Sequence, residues 1–130
     1  MLGLKISEIS ELLKLIRVGL AYSAWDAFVR NTDLQRKDVL SLVDIKERTL
    51  ARRKEEGRLR PEESDRLVRA ARIFARAVEL FEGDRESARR WLTSAQVALG
   101  GETPVEYAST EVGAREVESL IGRLEHGIPA

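Results

Sequence analysis

The sequence predicts an all-α fold, and three observations support that prediction. Apolar residues recur at helical spacing over most of the 130 residues, and no stretch alternates apolar and polar residues as a half-buried strand would. The junctions between the apolar stretches carry residues that end and begin helices. Gly100 and Gly101, for example, can end one helix in the left-handed conformation. Thr103, Pro104 and Glu106 can begin the next, with a capping box and a proline in the first turn.

The composition excludes several classes of protein. With 43% hydrophobic and 34% charged residues, the chain has the composition of a folded domain. It has no cysteine and one histidine, which excludes disulfides, thiol chemistry and a histidine-rich metal site, so we expect no metal and no cofactor. No apolar run approaches the roughly 20 residues that span a bilayer, and no signal-peptide pattern opens the chain. We therefore expect a cytoplasmic protein without a membrane partner.

The N-terminal region is predicted to form two helices. The first is amphipathic, would be capped by Ser7 and would end at Gly19. Ser23 and Asp26 have the spacing of a capping box that begins a second, short helix. Either the core or a second subunit must cover the apolar face of the first helix, which consists of Ile9, Leu12, Leu13 and Ile16.

Two further short helices are predicted from about Gln35 to Val43 and from about Lys46 to Glu56. A tight turn at Asp44 would join them, and aspartate tolerates a left-handed backbone better than most residues. Ile45 and Leu50 would face the core. These proportions are typical of a DNA-binding helix-turn-helix, although short helix pairs also occur in other proteins.

The charges are distributed unevenly, although 22 basic and 22 acidic residues give a net charge of zero. Residues 46–60 include seven basic and three acidic residues, a net charge of +4. Residues 102–130 include two basic and six acidic residues, a net charge of −4. This asymmetry favours two different partners, one of them an anion, but either segment could instead be a solvated helix face.

The second helix of the pair carries side chains that suit DNA. Arginine can donate two hydrogen bonds to guanine, threonine can contact a base edge, and lysine can neutralise a phosphate. Residues near the N-terminal end of a recognition helix usually meet the bases. We therefore predict Lys46, Arg48, Thr49 and Arg52 as base-reading residues, and Arg53, Lys54 and Arg58 as phosphate contacts.

Pro61 begins the longest predicted helix, which we expect to be the spine of the core. Its predicted buried stripe consists of Leu67, Ala71, Phe74, Ala75, Val78 and Phe81. Four arginines lie off the stripe, and we expect them to be solvated or paired with Glu62, Glu63 or Asp65, with phosphate or subunit contacts as the alternative. They are Arg66, Arg69, Arg72 and Arg76.

Three more helices are predicted in the C-terminal part of the chain. The first would bury Ala88, Trp91, Leu92 and Ala95. The second is short and begins after Thr103, and the third begins at Thr110 and ends at Gly127. The apolar stripe of the third consists of Gly113, Val117, Leu120, Ile121 and Leu124.

The sequence contains no set of residues that predicts catalysis. An enzyme needs a nucleophile, a base or a metal within hydrogen-bond reach of its partners. The single histidine, His126, suits the C-terminal end of a helix, and no lysine follows Gly100 and Gly101 as a phosphate-binding loop would require. We therefore predict that the protein is not an enzyme.

Three stretches of the chain resemble the Xre/MbcA/ParS-like antitoxins of type II toxin–antitoxin pairs, which are usually encoded with RES-domain toxins. They are RTLARRKEEGRLRPEESDRLVRAARI, Trp91-Leu92, and ALGGETPVEYASTEVGAREVESLIGRLEHGIPA. The resemblance covers about Ser23 to Ala130. The last stretch is the most specific, because ordinary helix-starting and helix-ending residues would rarely produce its pattern of glycine, threonine and proline.

The resemblance implies an Xre-like helix-turn-helix DNA-binding domain in residues 1–81 and a small helical toxin-binding domain in residues 82–130. It implies an antitoxin that occludes the active site of a RES-type NAD-degrading toxin with its C-terminal end. It also implies an autorepressor that binds operator DNA, as a homodimer within a larger complex. By position, the toxin-binding residues would be Arg115, Glu118, Glu125, His126, Gly127, Ile128, Pro129 and Ala130.

A different class of function remains open from the residues alone. The chain could be a stand-alone helix-turn-helix transcription regulator or an interaction module without a RES partner. The neighbouring reading frame discriminates between the two, because only the antitoxin requires a RES-domain gene beside it.

Overall fold

The computed structural model describes residues 5–127, and over that range it confirms the all-α prediction. Within these residues the only β-type pairing is an isolated antiparallel bridge between Ala21 and Arg58. The helices are α1 (Ile6–Val18), α2 (Tyr22–Thr32), α3 (Arg36–Val43), α4 (Glu47–Glu56), α5 (Pro61–Leu80), α6 (Arg85–Leu92), a 3-10 turn (Val97–Leu99), α7 (Pro104–Tyr107) and α8 (Glu111–Glu125). None of these helices combines the length and the apolarity that crossing a lipid bilayer requires.

The predicted starts of the C-terminal helices are confirmed. The Thr103 hydroxyl accepts a hydrogen bond from the Glu106 amide at 3.2 Å, and the Glu106 carboxylate accepts one from the Thr103 amide at 3.1 Å. These bonds satisfy backbone donors that have no partner within α7. The Thr110 hydroxyl accepts from the Gly113 amide at 3.0 Å and begins α8 in the same way.

Two predicted caps in the N-terminal region are wrong. Helix α1 begins at Ile6, and Ser7 lies inside its first turn, because the Glu8 carboxylate accepts a hydrogen bond from the Lys5 amide at 3.3 Å. Helix α2 begins at Tyr22, before Ser23. The Tyr22 amide donates to the Gly57 carbonyl at 3.0 Å, so a contact with a distant part of the chain sets this start.

Helix α5 is the spine of the core, as predicted, and packs against α8, α6, α3, α1 and α2. Its buried apolar face is wider than the predicted stripe, because α5 has neighbours on several sides. Leu67 and Phe74 are buried as expected, whereas Ala71, Val78 and Phe81 are only partly buried, and Ala75 is also intermediate. Three apolar residues outside the predicted stripe are fully buried: Ala70, Ile73 and Ala77.

One hydrophobic core connects the helices from α2 to α8. Its largest fully buried side chains include Trp25, Leu42, Leu50, Ile73 and Ile121. The apolar stripe predicted for α8 is confirmed, with Leu124 at its partly buried end. In α6, Ala88 and Leu92 are buried and Trp91 is partly buried, but Ala95 is exposed because the helix ends at Leu92.

The junction between α1 and α2 is fixed to the loop between α4 and α5. The Leu59 amide donates to the Leu20 carbonyl and the Leu20 amide to the Ser64 hydroxyl, both at 2.8 Å. Gly19 ends α1 with φ +101°, and a Cβ at this position would overlap the Leu59 carbonyl oxygen. Glycine is therefore required here by both the backbone angle and the close approach.

Candidate functional site: the α4 face and the C-terminal end of α8

The turn between α3 and α4 has the geometry that the sequence predicted. Asp44 adopts the left-handed conformation with φ 55°, and its amide donates to the Ser41 carbonyl at 3.1 Å. Ile45 and Leu50 are buried, as expected, and anchor α4 to the core. The Arg66 side chain donates to the carbonyls of Val43 (2.9 Å) and Asp44 (3.1 Å). The prediction that Arg66 is solvated or paired with an acid of its own helix is therefore wrong.

Helix α4 and its N-cap residue Lys46 present a set of exposed basic residues to solvent. Lys46, Arg48, Arg52 and Lys54 are exposed, and Thr49 is half-buried between them. Among residues 5–127, none of these five side chains forms a salt bridge or a hydrogen bond. Unpaired donors on an exposed helix face can bind phosphates or base edges without first breaking an internal contact.

Arg53 differs from its neighbours, and its predicted position on the exposed side of α4 is wrong. Its side chain is buried, and its Nε donates to Glu63 Oε1 at 2.8 Å while a terminal nitrogen donates to Glu56 at 3.1 Å. Arg53 follows Leu50 by three residues, which places it on the inward face of α4. The sequence therefore indicated an inward position for Arg53 through this spacing, but its positive charge favoured the interpretation as an exposed residue.

The ion pair between Arg53 and Glu63 is fully charged. The hydrogen bond to Glu63 raises the pKa of Arg53. Burial by itself would raise the pKa of Glu63, but hydrogen bonds from the Arg53 side chain and from the Arg60 amide lower it below its ordinary value. This pair joins the end of α4 to the first turn of α5, so Arg53 supports the fold and is not free to contact phosphates.

Arg58 also has an internal role that the sequence did not predict. Its guanidinium donates a hydrogen bond to the Gly19 carbonyl and so holds the junction between α1 and α2. A further pair joins the two helices of the helix-turn-helix, where Arg36 Nε lies 2.8 Å from Glu47 Oε1. Both contacts help to fix the position of α4.

The N-terminal end of α8 packs tightly on α7. A Cβ at Gly113 would overlap the Tyr107 carbonyl oxygen, so only glycine allows this approach. The Thr110 cap and Gly113 together explain the Thr-Glu-x-Gly-Ala pattern of residues 110–114 as a structural requirement.

Four ion pairs join α8 to α5, and they change the interpretation of two predicted toxin-binding residues. Arg69, Arg72 and Arg76 of α5 pair with α8, so the expectation that they are solvated or paired within α5 is wrong. Glu118 accepts from two nitrogens of Arg72, at 3.1 and 2.9 Å, and is four-fifths buried. Glu125 is likewise occupied by Arg76. The pairs are Arg69–Glu111 (3.0 Å), Arg72–Glu118 (2.9 Å), Arg76–Glu118 (3.9 Å) and Arg76–Glu125 (3.0 Å).

The other predicted toxin-binding residues are more exposed. Arg115 pairs with Glu111 at 3.1 Å, and the hydrogen bonds from Arg115 and then Arg69 lower the pKa of Glu111. His126 and Gly127 are exposed, and Gly127 ends α8 with φ +71°. Ile128, Pro129 and Ala130 lie outside the described residues. Within residues 5–127, no group of three or more acidic or histidine side chains could hold a metal ion.

Two family models match the chain along most of its length. The antitoxin Xre-like helix-turn-helix domain matches residues 11–72, and the antitoxin Xre/MbcA/ParS C-terminal toxin-binding domain matches residues 76–127. The two matches meet inside α5, the helix that both parts of the molecule share. These two domains imply that the chain binds DNA and a protein toxin.

Three proteins that are similar to this chain are named Antitoxin Xre. An Antitoxin Xre from Yersinia enterocolitica is 37% identical over 128 residues, which covers 98% of this chain and 86% of that protein. An Antitoxin Xre from Photorhabdus laumondii is 34% identical over 127 residues, 97% of this chain and 86% of that protein. A third, from Pseudomonas putida, is 34% identical over 96 residues, 74% of this chain and 57% of that protein. The chain therefore belongs to the Xre antitoxin family of type II toxin–antitoxin systems.

Proposed function

We propose that this antitoxin neutralises a RES-type, NAD-degrading toxin by placing its C-terminal end in the toxin active site. We further propose that it represses its own operon by binding operator DNA through α4. The observation that supports this best is the unpaired set of donors on α4, at the position where the matched helix-turn-helix domain would bind DNA. Both activities are binding events and need no chemistry from the antitoxin.

The toxin-binding part of the proposal assigns different roles to the residues of α8. Glu118 and Glu125 are occupied by Arg72 and Arg76, so their contribution is to hold α8 in place. Arg115, His126 and Gly127, followed by the last three residues, are then the groups that meet the toxin. A tail that leaves a firmly held helix loses less conformational freedom on binding than a tail on a mobile one.

Co-expression with the toxin tests this part. We expect the full chain to restore growth and to inhibit NAD degradation by the purified toxin. Deletion of residues 127–130 should weaken both effects, because it removes the residues that are proposed to enter the toxin active site and leaves the ion pairs of α8 intact. Glu116→Ala, at an exposed position of the same helix, is the matched control and should protect fully. Full protection by the truncated chain would disprove occlusion of the active site by the C-terminal end.

Operator binding tests the second part. Arg48→Ala and Arg52→Ala should each lower operator affinity, and a base-reading arginine contributes about 1–3 kcal/mol. Arg123→Ala removes an arginine from α8 and should leave operator affinity unchanged. A titration of labelled operator DNA measures all three. Wild-type affinity in both α4 variants would remove these arginines from the interface.

The neighbouring gene provides a separate check on the identity of the toxin. We expect a RES-domain reading frame beside this one. An unrelated neighbour would favour a transcription regulator that acts without a RES partner, and operator binding through α4 would then stand alone.

A further inference from the structure

Helix α6 carries three arginines, although it lies outside the matched helix-turn-helix domain. They are Arg85, Arg89 and Arg90. The helix-turn-helix match ends at residue 72, whereas α6 falls within the match to the toxin-binding domain, residues 76–127. The Arg85 guanidinium lies over the ring of Phe74, 5.6 Å from its centre. The other two arginines line a cleft that α6 forms with the start of α3.

The cleft between α6 and the start of α3 is open to solvent and has a volume of about 420 Å³. Three basic side chains line it: Lys37 from α3, and Arg89 and Arg90 from α6. The Arg89 guanidinium also donates a hydrogen bond of 3.4 Å to the Thr32 carbonyl at the end of α2. This contact, together with the buried Ala88 and Leu92 of α6, fixes the arginines beside α3.

Lys37 and Arg90 are available to a ligand. Both side chains are exposed. Within residues 5–127, the Lys37 side chain forms no hydrogen bond or salt bridge, and the one side-chain bond of Arg90 is a long contact of 3.4 Å with the Ser87 hydroxyl. A ligand that binds these two residues therefore displaces no strong internal contact.

The cleft lies next to the start of α4. Lys37 follows Arg36, whose Nε lies 2.8 Å from Glu47 Oε1 in the first turn of α4. In a helix-turn-helix, the second helix enters the major groove while the first helix crosses the DNA backbone. The first helix here is α3. Docking of α4 in the groove therefore brings backbone phosphates towards the start of α3 and the cleft beside it.

On the basis of the proposed operator binding through α4, we propose that Lys37 and Arg90 bind backbone phosphates of the operator. Helix α6, from the toxin-binding domain, then extends the DNA interface beyond the helix-turn-helix. Lysine and arginine both suit this ligand, because each donates charge-assisted hydrogen bonds to phosphate oxygens. Arg89 is a positioning residue, since its bond to Thr32 holds α6 beside α3. Phosphate contacts add affinity and fix orientation, but they carry no sequence information.

Three acidic side chains also line the cleft and limit its attraction for phosphate. They are Asp33, Asp38 and Glu86. With three basic and three acidic residues, the cleft has no net charge, so it does not concentrate free phosphate ions from solution. A duplex that is held on α4 instead presents its phosphates at a high effective concentration. The short-range bonds of Lys37 and Arg90 can then form.

Titration of the labelled promoter region of the operon at two salt concentrations tests these contacts. Loss of one phosphate contact lowers the slope of log affinity against log salt by about 0.9, a factor of about 3.5 between about 50 and about 200 mM salt. We expect Lys37→Ala and Arg90→Ala each to reduce the salt-dependent fall in affinity by about this factor. Arg123→Ala, on α8, is the control and should behave as the wild-type chain.

A conservative variant separates phosphate binding from a purely structural role of Arg90. Arg90→Lys keeps the positive charge and should recover most of the wild-type slope. An alanine-like slope in Arg90→Lys would contradict a charge contact. A wild-type slope in Lys37→Ala would remove Lys37 from the interface, and a wild-type slope in Arg90→Ala would overturn the role of α6.

An unrelated duplex distinguishes phosphate contacts from base contacts. Arg90→Ala should weaken binding to the operator and to the unrelated duplex by the same factor, so the ratio of the two affinities should not change. Arg48→Ala should lower this ratio, because a base-reading arginine contributes to discrimination between sequences. A lower ratio in Arg90→Ala would contradict binding to phosphates alone.

The acidic residues of the cleft provide a test of opposite sign. Glu86→Gln removes an exposed negative charge and should raise DNA affinity, more at low salt than at high salt. Glu116→Gln, at an exposed position of α8, is the matched control and should leave the affinity unchanged. Unchanged affinity in Glu86→Gln would show that no phosphate approaches α6.

Toxin inhibition distinguishes DNA from the toxin as the partner of this cleft. Arg90→Ala should inhibit NAD degradation by the purified toxin as well as the wild-type chain does. Weaker inhibition with unchanged DNA affinity would assign α6 to the toxin and overturn the proposal. If Arg48→Ala loses affinity whereas Lys37→Ala and Arg90→Ala do not, operator binding through α4 stands and the extension through α6 fails. A wild-type chain that binds no DNA would overturn both.

Discussion

Helices α4 and α8 both carry several charged residues, but they use them in opposite ways. Arg48, Arg52 and Lys54 of α4 have no internal partner within the described residues. The glutamates of α8 that face α5, Glu118 and Glu125, form ion pairs with its arginines. The negative charge of the C-terminal segment is therefore partly compensated by the arginines of α5, whereas the positive charge of the α4 face is left for a ligand. Net charge along the sequence does not distinguish these two cases.

The same contrast exists within α4, between the adjacent residues Arg52 and Arg53. Arg53→Ala should destabilise the protein by about 3–5 kcal/mol, because it leaves the buried Glu63 carboxylate without its partner. Arg52→Ala should change the stability by less than about 0.5 kcal/mol, because Arg52 is exposed and unpaired. Urea unfolding of both variants measures the difference. Equal stability of the two variants would contradict the structural role of Arg53.

Two glycines of α8 provide the next largest difference. Gly113→Ala should cost about 1–3 kcal/mol or more, because its Cβ would overlap the Tyr107 carbonyl and push α8 away from α7. Gly122→Ala should instead stabilise the helix by about 0.5–1 kcal/mol, since its Cβ would meet only the end of the Arg76 side chain at 3.7 Å. Thermal unfolding measures both changes. A stable Gly113→Ala variant would show that α8 can shift without cost.

The ion pairs that hold α8 should contribute less to the stability of the fold than the Arg53–Glu63 pair or the close packing at Gly113. Arg72→Ala removes two hydrogen bonds to the partly buried Glu118 and should destabilise the fold by about 1 kcal/mol, after allowance for solvent screening. Arg115→Ala removes an exposed pair of the same helix and should cost no more than about 0.5 kcal/mol. Toxin neutralisation should respond in the opposite order, because Arg115 is a proposed toxin contact.

Acid provides the smallest expected effect, and comparison with a Glu63→Gln variant isolates the contribution of Glu63 from that of the other carboxylates. The folded-state pKa of Glu63 is lower than its ordinary value. The stabilisation that ionised Glu63 contributes is therefore complete above its unfolded-state pKa of about 4.3. It is lost as the pH falls through the lower folded-state pKa. Glu63→Gln cannot titrate and should lose less stability than the wild-type chain between about pH 5 and about pH 3. Parallel losses would exclude Glu63 as a source of acid sensitivity.

Local signals in the sequence predicted those parts of the fold that depend on neighbouring residues. The starts at Thr103 and Thr110 and the left-handed turn at Asp44 each depend on a few adjacent residues. The predicted caps at Ser7 and Ser23 were wrong. Helix α2 starts early because a bond from Tyr22 to Gly57, thirty-five residues away in the chain, outweighs a favourable local cap.

The charged residues were the least predictable, because the same arginine can serve a ligand or the fold. Sequence spacing placed Arg53 with the phosphate contacts, but the buried carboxylate of Glu63 binds it. The sequence also predicted that the arginines of α5 are solvated or paired within their own helix, but α8 supplies the glutamates that pair with Arg69, Arg72 and Arg76. The partner of a long charged side chain depends on which oppositely charged side chain the tertiary structure brings within about 4 Å of its end.

By itself, the sequence determined the all-α class, the helix-turn-helix proportions and membership of the antitoxin family, because helical spacing and short motifs are properties of neighbouring residues. Only the tertiary structure decided which charges remain available to DNA and to the toxin. It brought α5 against α8 and the start of α5 against the end of α4, and the resulting contacts occupy Arg53, Glu118 and Glu125. Those pairs form between residues ten to 49 positions apart, where no local pattern specifies the partner.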